Sequence, residues 1–239
     1  MIRYIVAFII TSLFLTICPV SAKDFSYENN LFKIMQYDQQ KKYKKALDLG
    51  LKTKKENLTD AQKKELQEIM ETLYFKKDKD DALKAFYVDY DKYENTYTYT
   101  SNLILYDDIV PIIIVSDKGT HYFLKFKAEH YNRTMINFNK VIINSDNKNI
   151  TLTIEKSEDS LVSYQSYKRI AQGWAVLSGK EMFAVEKAMK GYDISFKMSG
   201  NDGAVVKQIY SPTKELIKKS VVVYVLLSGK MIKPGDTRF

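Results

Sequence analysis

A change in sequence pattern near residue 96 places the strongest constraint on the fold. Residues 23–96 are rich in Lys, Glu, Gln and Asp, contain no proline and only one glycine, and repeat their apolar residues with a helical period. Beyond residue 96, short runs rich in Ile, Val, Thr, Tyr and Phe lie between turns of Asp, Asn, Gly and Ser. We therefore expect an α+β fold, with a helical region at 23–96 and a β-rich domain at 97–239.

Two features describe the helical region further. The segment 59–62, Thr-Asp-Ala-Gln, fits a capping box that opens a helix. One apolar face of that helix contains Leu66, Ile69, Met70 and Leu73. A later aromatic stripe steps by four, three and four residues and predicts another helix face, made of Phe86, Tyr90, Tyr93 and Tyr97. We expect this stripe to be an interface between the two halves or a ligand-binding surface.

Turn and cap signals organise the second half. The segments 144–149 and 199–203 are short polar loops between strand-like runs, which predicts hairpins and hence antiparallel sheets. Two helices interrupt the strands. One begins with the capping box Ser178-Gly-Lys-Glu181, and the other begins at Ser211-Pro212 and continues through the apolar run at 220–227. The expected arrangement is helical hairpins packed on a mostly antiparallel, β-sandwich-like domain with two helices.

A weak internal repeat runs through the helical region. The segment 37–47 is echoed by 73–83, and their Ala-Leu pairs, at 46–47 and 82–83, lie 36 residues apart. At these positions the segment resembles tetratricopeptide-type helical hairpins, a resemblance that implies protein-binding or packing surfaces. Residues 110–229 are similar to the β-sandwich-like domains of uncharacterised exported bacterial proteins, and that similarity implies no catalytic residue.

The first 22 residues predict export. Arg3 precedes an apolar run from Tyr4 to Ile17, which is followed by Pro19 and the small-residue motif at 20–22. The run is short for a transmembrane helix, so we expect a signal peptide cleaved after Ala22 and no transmembrane segment in the mature chain. The predicted location is the periplasm or the exterior of the cell.

The lone cysteine leaves an alternative open. Cys18 lies inside the signal, where acylation would make a lipoprotein, but bulky Ile17 occupies the position that should be small. Lipoprotein anchoring through Cys18 is therefore the less favoured interpretation. Cleavage after Ala22 would leave a mature chain without a thiol or a disulfide. Such a chain, dominated by Lys, Asn, Ile and Tyr, resembles bacterial envelope proteins.

Charge and motifs argue against several functions. The net charge is +8, but acids are interleaved with the lysines and only four arginines occur, so no nucleic-acid partner is expected.

The candidate catalytic and metal-binding residues form no convincing motif. His121 and His130 lie an odd number of residues apart, which puts them on opposite faces of one strand and disfavours joint metal binding. Ser-x-x-Lys occurs at 145–148 and 211–214, as often as chance predicts. Acidic pairs such as Glu158-Asp159 leave a glycosidase open, because the spacing of its carboxylates is spatial.

We accordingly expect no cofactor and no metal, assign no catalytic residue, and lean against an enzyme. The favoured hypothesis is a non-enzymatic, exported cell-envelope protein that acts as a protein-interaction module. Its partner would be another envelope protein or an envelope polymer. The alternatives are a carbohydrate- or lipid-binding module that uses the Tyr-rich surface and, less favoured, an unrecognised hydrolase.

Overall fold

The structure is a computed structural model that describes residues 22–101, 109–131, 134–146 and 148–235. Residues 1–21 of the predicted signal peptide, including Cys18, lie outside the described residues. The described part of the chain forms five helices and ten strands, and both sheets are antiparallel. The predicted α+β class, with helices at the N-terminus, is confirmed. The described residues divide into two compact units, with the boundary between Lys77 and Asp78.

The first unit is helical. It contains α1 (Ala22–Gln39), α2 (Tyr43–Thr53) and most of α3 (Asp60–Leu83). Its core is a cluster of buried apolar side chains from all three helices and the α2–α3 loop: Tyr27, Ile34, Ala46, Leu47, Leu58, Leu66, Met70 and Leu73. The predicted capping box is present at the start of α3, because Thr59 and Gln62 exchange backbone-to-side-chain hydrogen bonds of 3.0 and 3.3 Å.

The described residues of the second unit form ten strands and two further helices. The strands are β1 (Phe86–Asp91), β2 (Thr96–Ser101), β3 (Ile109–Ser116), β4 (Gly119–Tyr131), β5 (Phe138–Ser145), β6 (Lys148–Thr153), β7 (Lys156–Ser163), β8 (Lys168–Leu177), β9 (Ile194–Gly200) and β10 (Gly203–Gln208). The helices are α4 (Gly179–Ala188) and α5 (Ser211–Ser228). Six strands form one sheet in the order β1-β2-β3-β4-β8-β7, and four form another in the order β10-β9-β5-β6.

The two sheets face each other across the core of this unit. The rings of Phe126 on β4 and Phe196 on β9 lie 5.5 Å apart between their centroids. After β6 the chain passes from one sheet to the other, since Ile154 N–H donates to the Asn139 carbonyl and Glu155 N–H donates to the Trp174 carbonyl. This crossing joins the sheets along one side, as in a sandwich with a shared corner.

Helix α5 packs against the inner side of the six-stranded sheet. The Tyr122 hydroxyl lies 2.6 Å from Ser220 Oγ, and its ring meets Tyr224 edge-on. Burial of the phenol raises the pKa of Tyr122 well above its ordinary value, so it stays protonated. The prediction that 220–227 continues this helix is confirmed. None of the described helices is long and apolar enough to cross a membrane.

Turn chemistry predicted the hairpins well. Strands β5 and β6 pair around the 144–149 loop, and β9 and β10 pair around the 199–203 loop. The capping box of α4 is also present, with Ser178 and Glu181 bonded reciprocally. The prediction that 86–97 forms one helix face is wrong. Helix α3 ends at Leu83 and strand β1 begins at Phe86, so the change from helix to strand occurs before residue 96.

Candidate functional site

The predicted aromatic stripe forms a β-hairpin instead of a helix face. Phe86 is fully buried in the core of the second unit, while Tyr93 lies in the β1–β2 turn and is 88% exposed. Tyr90 and Tyr97 are directly opposite each other, with ring centroids 4.5 Å apart. The hairpin therefore brings two of the four residues together and separates the other two. The 4-3-4 spacing arose from two strands and a turn.

The two histidines occupy opposite faces of β4, as predicted. His121 is on the exposed face, and His130 is buried between the sheets. In the described residues, no group of three or more His, Cys, Asp or Glu side chains is arranged to hold a metal ion. His121 and His130 therefore have different roles and must be considered separately.

His130 belongs to a buried polar cluster with Asp159 and Arg169. The Asp159 carboxylate accepts a hydrogen bond of 2.9 Å from Arg169 Nε through one oxygen. Its other oxygen accepts one of 2.8 Å from the Ile136 N–H and lies 3.1 Å from His130 Nε2. Arg169 also donates to the Asp159 carbonyl at 3.2 Å. These contacts connect β4, β7 and β8 with the segment that precedes β5.

The geometry of this cluster favours a role in stabilising the fold over a role in acid–base catalysis. The His130 and Asp159 side chains are 5% and 1% exposed, so no substrate in solution reaches them. Both carboxylate oxygens of Asp159 are already used by partners within the fold. A buried carboxylate compensated by an arginine and an N–H is stable only while these partners remain. The Glu158-Asp159 pair is split, since Glu158 lies on the opposite, exposed face of β7.

Within the second unit, the side of the six-stranded sheet that faces away from α5 and the second sheet is covered by neither of them. We call it the outer face. Its central row runs across five strands in register, and each member is at least partly exposed: Tyr87, Thr100, Ile112, Phe123 and Val176. Four of these five residues are apolar or aromatic, and none of the four is in the buried core. A row of this kind on an exposed sheet is typical of a binding surface.

Lysines flank the central row on one side. In the adjacent row Trp174 lies between Lys125 and Lys156, whose ammonium nitrogens are 4.9 and 5.3 Å from its ring centroid. Lys127 follows on β4. Beyond these, Lys168 hydrogen-bonds Glu129 at 3.0 Å and holds the pKa of that carboxyl below its usual range. This part of the outer face is the lysine side.

Carboxylates lie on the other side of the central row. A groove of about 740 Å³ lies over the ends of β1 to β4, and we call it the acidic groove. Its lining includes four carboxylates, one lysine and one histidine: Asp89, Asp91, Glu94, Asp117, Lys118 and His121. The acidic groove and the tyrosine pair occupy opposite faces of the same hairpin, because side chains alternate along a strand.

A smaller groove lies within the helical unit, between α1 and α3. It has a volume of about 380 Å³, and Ile34 and Leu73 at its base belong to the buried core of that unit. Three carboxylates line it, from Asp38, Glu65 and Glu68. Two of them are engaged inside the unit, because Asp38 pairs with Lys76 and Glu65 accepts from the Tyr27 hydroxyl.

Sequence reasoning missed the outer face. The signal that could have found it is in β4, where Tyr122, Phe123 and Leu124 are consecutive large apolar residues. Alternation along a strand requires one of them to point away from the core, and that residue is Phe123.

Searches against protein-family models, curated proteins and solved structures return no match for this chain.

Proposed function

We propose that this chain is an exported cell-envelope protein that acts by binding another protein through the outer face, without catalysis. The proposed export rests on the pattern of residues 1–22, in which a short apolar run precedes a small-residue motif. The proposed binding rests on one observation. Four large apolar or aromatic side chains lie in one cross-strand row on an exposed sheet face, and charges of both signs flank that row.

The energetics of that row favour binding over a purely structural role. Phe123, Ile112 and Val176 keep part of their apolar area in contact with water, which costs free energy in the isolated chain. A partner that covers the row recovers this free energy. Trp174 and the charged rows beside it match the usual layout of a protein interface, in which aromatic residues occupy the centre and polar groups surround them.

A second candidate function is carbohydrate binding by the hairpin tyrosines. The observation in its favour is that one hairpin holds both the Tyr90–Tyr97 ring pair and, in its turn, Tyr93, which is 88% exposed. Tyrosine offers an apolar ring for stacking and a hydroxyl for hydrogen bonding. The Tyr90 hydroxyl, however, already donates to Asn95 at 3.0 Å, which reduces its freedom to bind a sugar.

Site-specific photocrosslinking in intact cells tests the proposed function. A photoreactive phenylalanine analogue replaces Phe123 on the outer face, and in a control it replaces Val206, which is 61% exposed on the four-stranded sheet. We expect a protein adduct of defined mass from position 123 that is absent from position 206. The added substitution Ile112→Asp should abolish it, and mass spectrometry should identify an envelope protein. Equal labelling at both positions, or none at 123, would contradict the proposal.

Export and the carbohydrate alternative have their own measurements. The mass of the mature protein should correspond to a chain that begins at Lys23, and an acylated chain that begins at Cys18 would instead make it a lipoprotein. Binding to a glycan array that is lost in Tyr93→Ala, while Phe123→Asp still binds, would favour the carbohydrate function over the protein-binding one.

A further inference from the structure

We propose that the partner of the outer face is a second copy of this chain, so that the protein forms a two-fold symmetric dimer through its six-stranded sheets. This inference rests on the proposed function, since it names the protein that the same surface binds. Three properties of the face support it: the diagonal arrangement of its charges, the continuity of its central row, and its size.

The charges on the outer face are separated along a diagonal. The lysine side lies over β4, β8 and β7, whereas the acidic groove lies over the ends of β1 to β4. Among the described residues, neither Lys125 nor Lys127 has a carboxylate within ion-pair distance. Glu129 and Glu158 also lie on this side, where they pair with Lys168 and Lys156, so Lys125 and Lys127 leave the lysine side with a net positive charge. Asp89 and Asp91, from neighbouring outward positions of β1, line the groove at the opposite end of the diagonal.

A two-fold axis brings these opposite charges together. In an isologous interface, residue i of one protomer contacts residue j of the other, and residue j of the first contacts residue i of the second. If the axis lies in the interface and crosses the diagonal, the lysine side of each protomer faces the acidic groove of the other. The central rows then meet in the middle, where they are removed from water. One operation thus satisfies both charge patches and the apolar row.

A partner with a single sign of charge fits this surface poorly. A polyanion would be attracted to Lys125 and Lys127 but repelled by Asp89 and its neighbours, and a polycation would meet the reverse situation. The matching surface must have the same charge separation in the opposite direction. A second copy supplies that surface by symmetry alone, without a further gene product.

The size of the face agrees with a stable dimer. Six strands spaced by about 4.8 Å, and strands about eight residues deep, give a sheet face of roughly 24 by 27 Å before side-chain relief is counted. That area is comparable with the ~800 Å² that each partner contributes to a standard protein interface. The row from Tyr87 to Val176 crosses most of this width, so its burial would stabilise the centre of the dimer.

Analytical ultracentrifugation of the purified protein, with charge-reversal variants, tests the proposal. Wild type should sediment as a reversible dimer. Asp89→Lys with Asp91→Lys should raise the dimer dissociation constant at least about tenfold, because two basic ends then face each other. Lys125→Glu with Lys127→Glu should do the same. An equimolar mixture of the two double variants should form heterodimers with a dissociation constant near that of wild type, because the charges are again complementary.

Two controls keep the outcome interpretable. Phe123→Asp should give a monomer, whereas Val206→Asp on the four-stranded sheet should leave the dimer unchanged, and circular dichroism should show that all the variants are folded. A wild-type protein that remains monomeric at every concentration would overturn the inference, and so would charge-reversal pairs that are not rescued by mixing. If the protein is monomeric but position 123 still crosslinks a different envelope protein, the proposed function stands and only the self-association is refuted.

Discussion

The phenol rings of Tyr90 and Tyr97 face each other across the β1–β2 hairpin, with centroids 4.5 Å apart and planes inclined by 32°. The contact joins the far end of the hairpin, where Asn95 adopts a positive φ of 50° in the turn. Cross-strand aromatic pairs of this kind stabilise a hairpin locally. Tyr97 also packs against the core of the second unit, whereas Tyr90 is 47% exposed and contributes mainly to the hairpin.

Replacement of the hairpin tyrosines should therefore have graded effects. Tyr90→Ala removes one ring of the pair and should lower the free energy of unfolding by about 0.5–1.5 kcal/mol. Tyr93→Ala should change it by less than about 0.5 kcal/mol, because that side chain is 88% exposed. Urea unfolding followed by circular dichroism measures both. A loss of several kcal/mol in Tyr93→Ala would mean that the turn packs against another surface.

The helical prediction for 86–97 failed for a physical reason. Spacings of four, three and four residues place side chains on one helix face, but two strands joined by a turn give similar spacings for residues that share a sheet face. The turn signals were present in Asp91 and Asn95, since Asp91 accepts hydrogen bonds from two turn N–H groups and Asn tolerates positive φ. The Thr-Tyr-Thr-Tyr alternation at 96–99 also favoured a strand.

Capping boxes and hairpin loops were predictable because their hydrogen bonds are local in sequence. Strand β7 was not, because its inward-facing positions include Asp159 where a strand pattern would have an apolar residue. That carboxylate is tolerated only through Arg169 and the Ile136 N–H, ten and 23 residues away. The outer face depends in the same way on register across six strands, which no single stretch of sequence specifies.

The buried cluster gives a second prediction. Asp159→Ala leaves the Arg169 guanidinium in the interior without its carboxylate, so the variant should lose about 3–5 kcal/mol of stability or fail to fold. The neighbouring acid is the matched control. Glu158→Ala removes only an exposed pair with Lys156 and should cost less than about 1 kcal/mol. Similar midpoints of urea unfolding for the two variants would show that the Arg169 contact does not stabilise the fold.

The cap of α4 predicts a pH dependence. The Ser178 hydroxyl and N–H hold the pKa of Glu181 below its usual range. Because the folded-state pKa is lower than the unfolded one, the stabilisation is present above the unfolded-state pKa and is lost as pH falls through the folded-state pKa. Glu181→Gln should therefore be less stable than wild type by about 0.3–1 kcal/mol at neutral pH, and the difference should disappear in acid.

Thermal or urea unfolding at a series of pH values measures this difference. Glu186→Gln is the control, since Glu186 lies in the last turn of the same helix and pairs with Lys190. Its negative charge lies at the helix end where acids are not favoured, so its removal should not reproduce the pH profile of Glu181→Gln. A Glu181→Gln deficit that persists unchanged in acid would show that the side-chain charge is not responsible.

Two glycines give the last prediction, because an added methyl group meets opposite surroundings at each. At Gly200, where β9 passes the irregular start of β5, a Cβ would lie 1.8 Å from the Asn137 carbonyl oxygen. That atom belongs to the backbone and cannot move aside without disrupting the β5–β9 pairing. Gly200→Ala should therefore lower the free energy of unfolding by about 1–3 kcal/mol.

Gly179, in the first turn of α4, has no atom within 4 Å of the position that an added Cβ would take. Gly179→Ala should be neutral or gain up to about 1 kcal/mol, since alanine restricts the unfolded chain. Parallel urea titrations of the two variants measure both changes, and a stable Gly200→Ala protein would mean that β5 and β9 do not approach as closely as the structure places them.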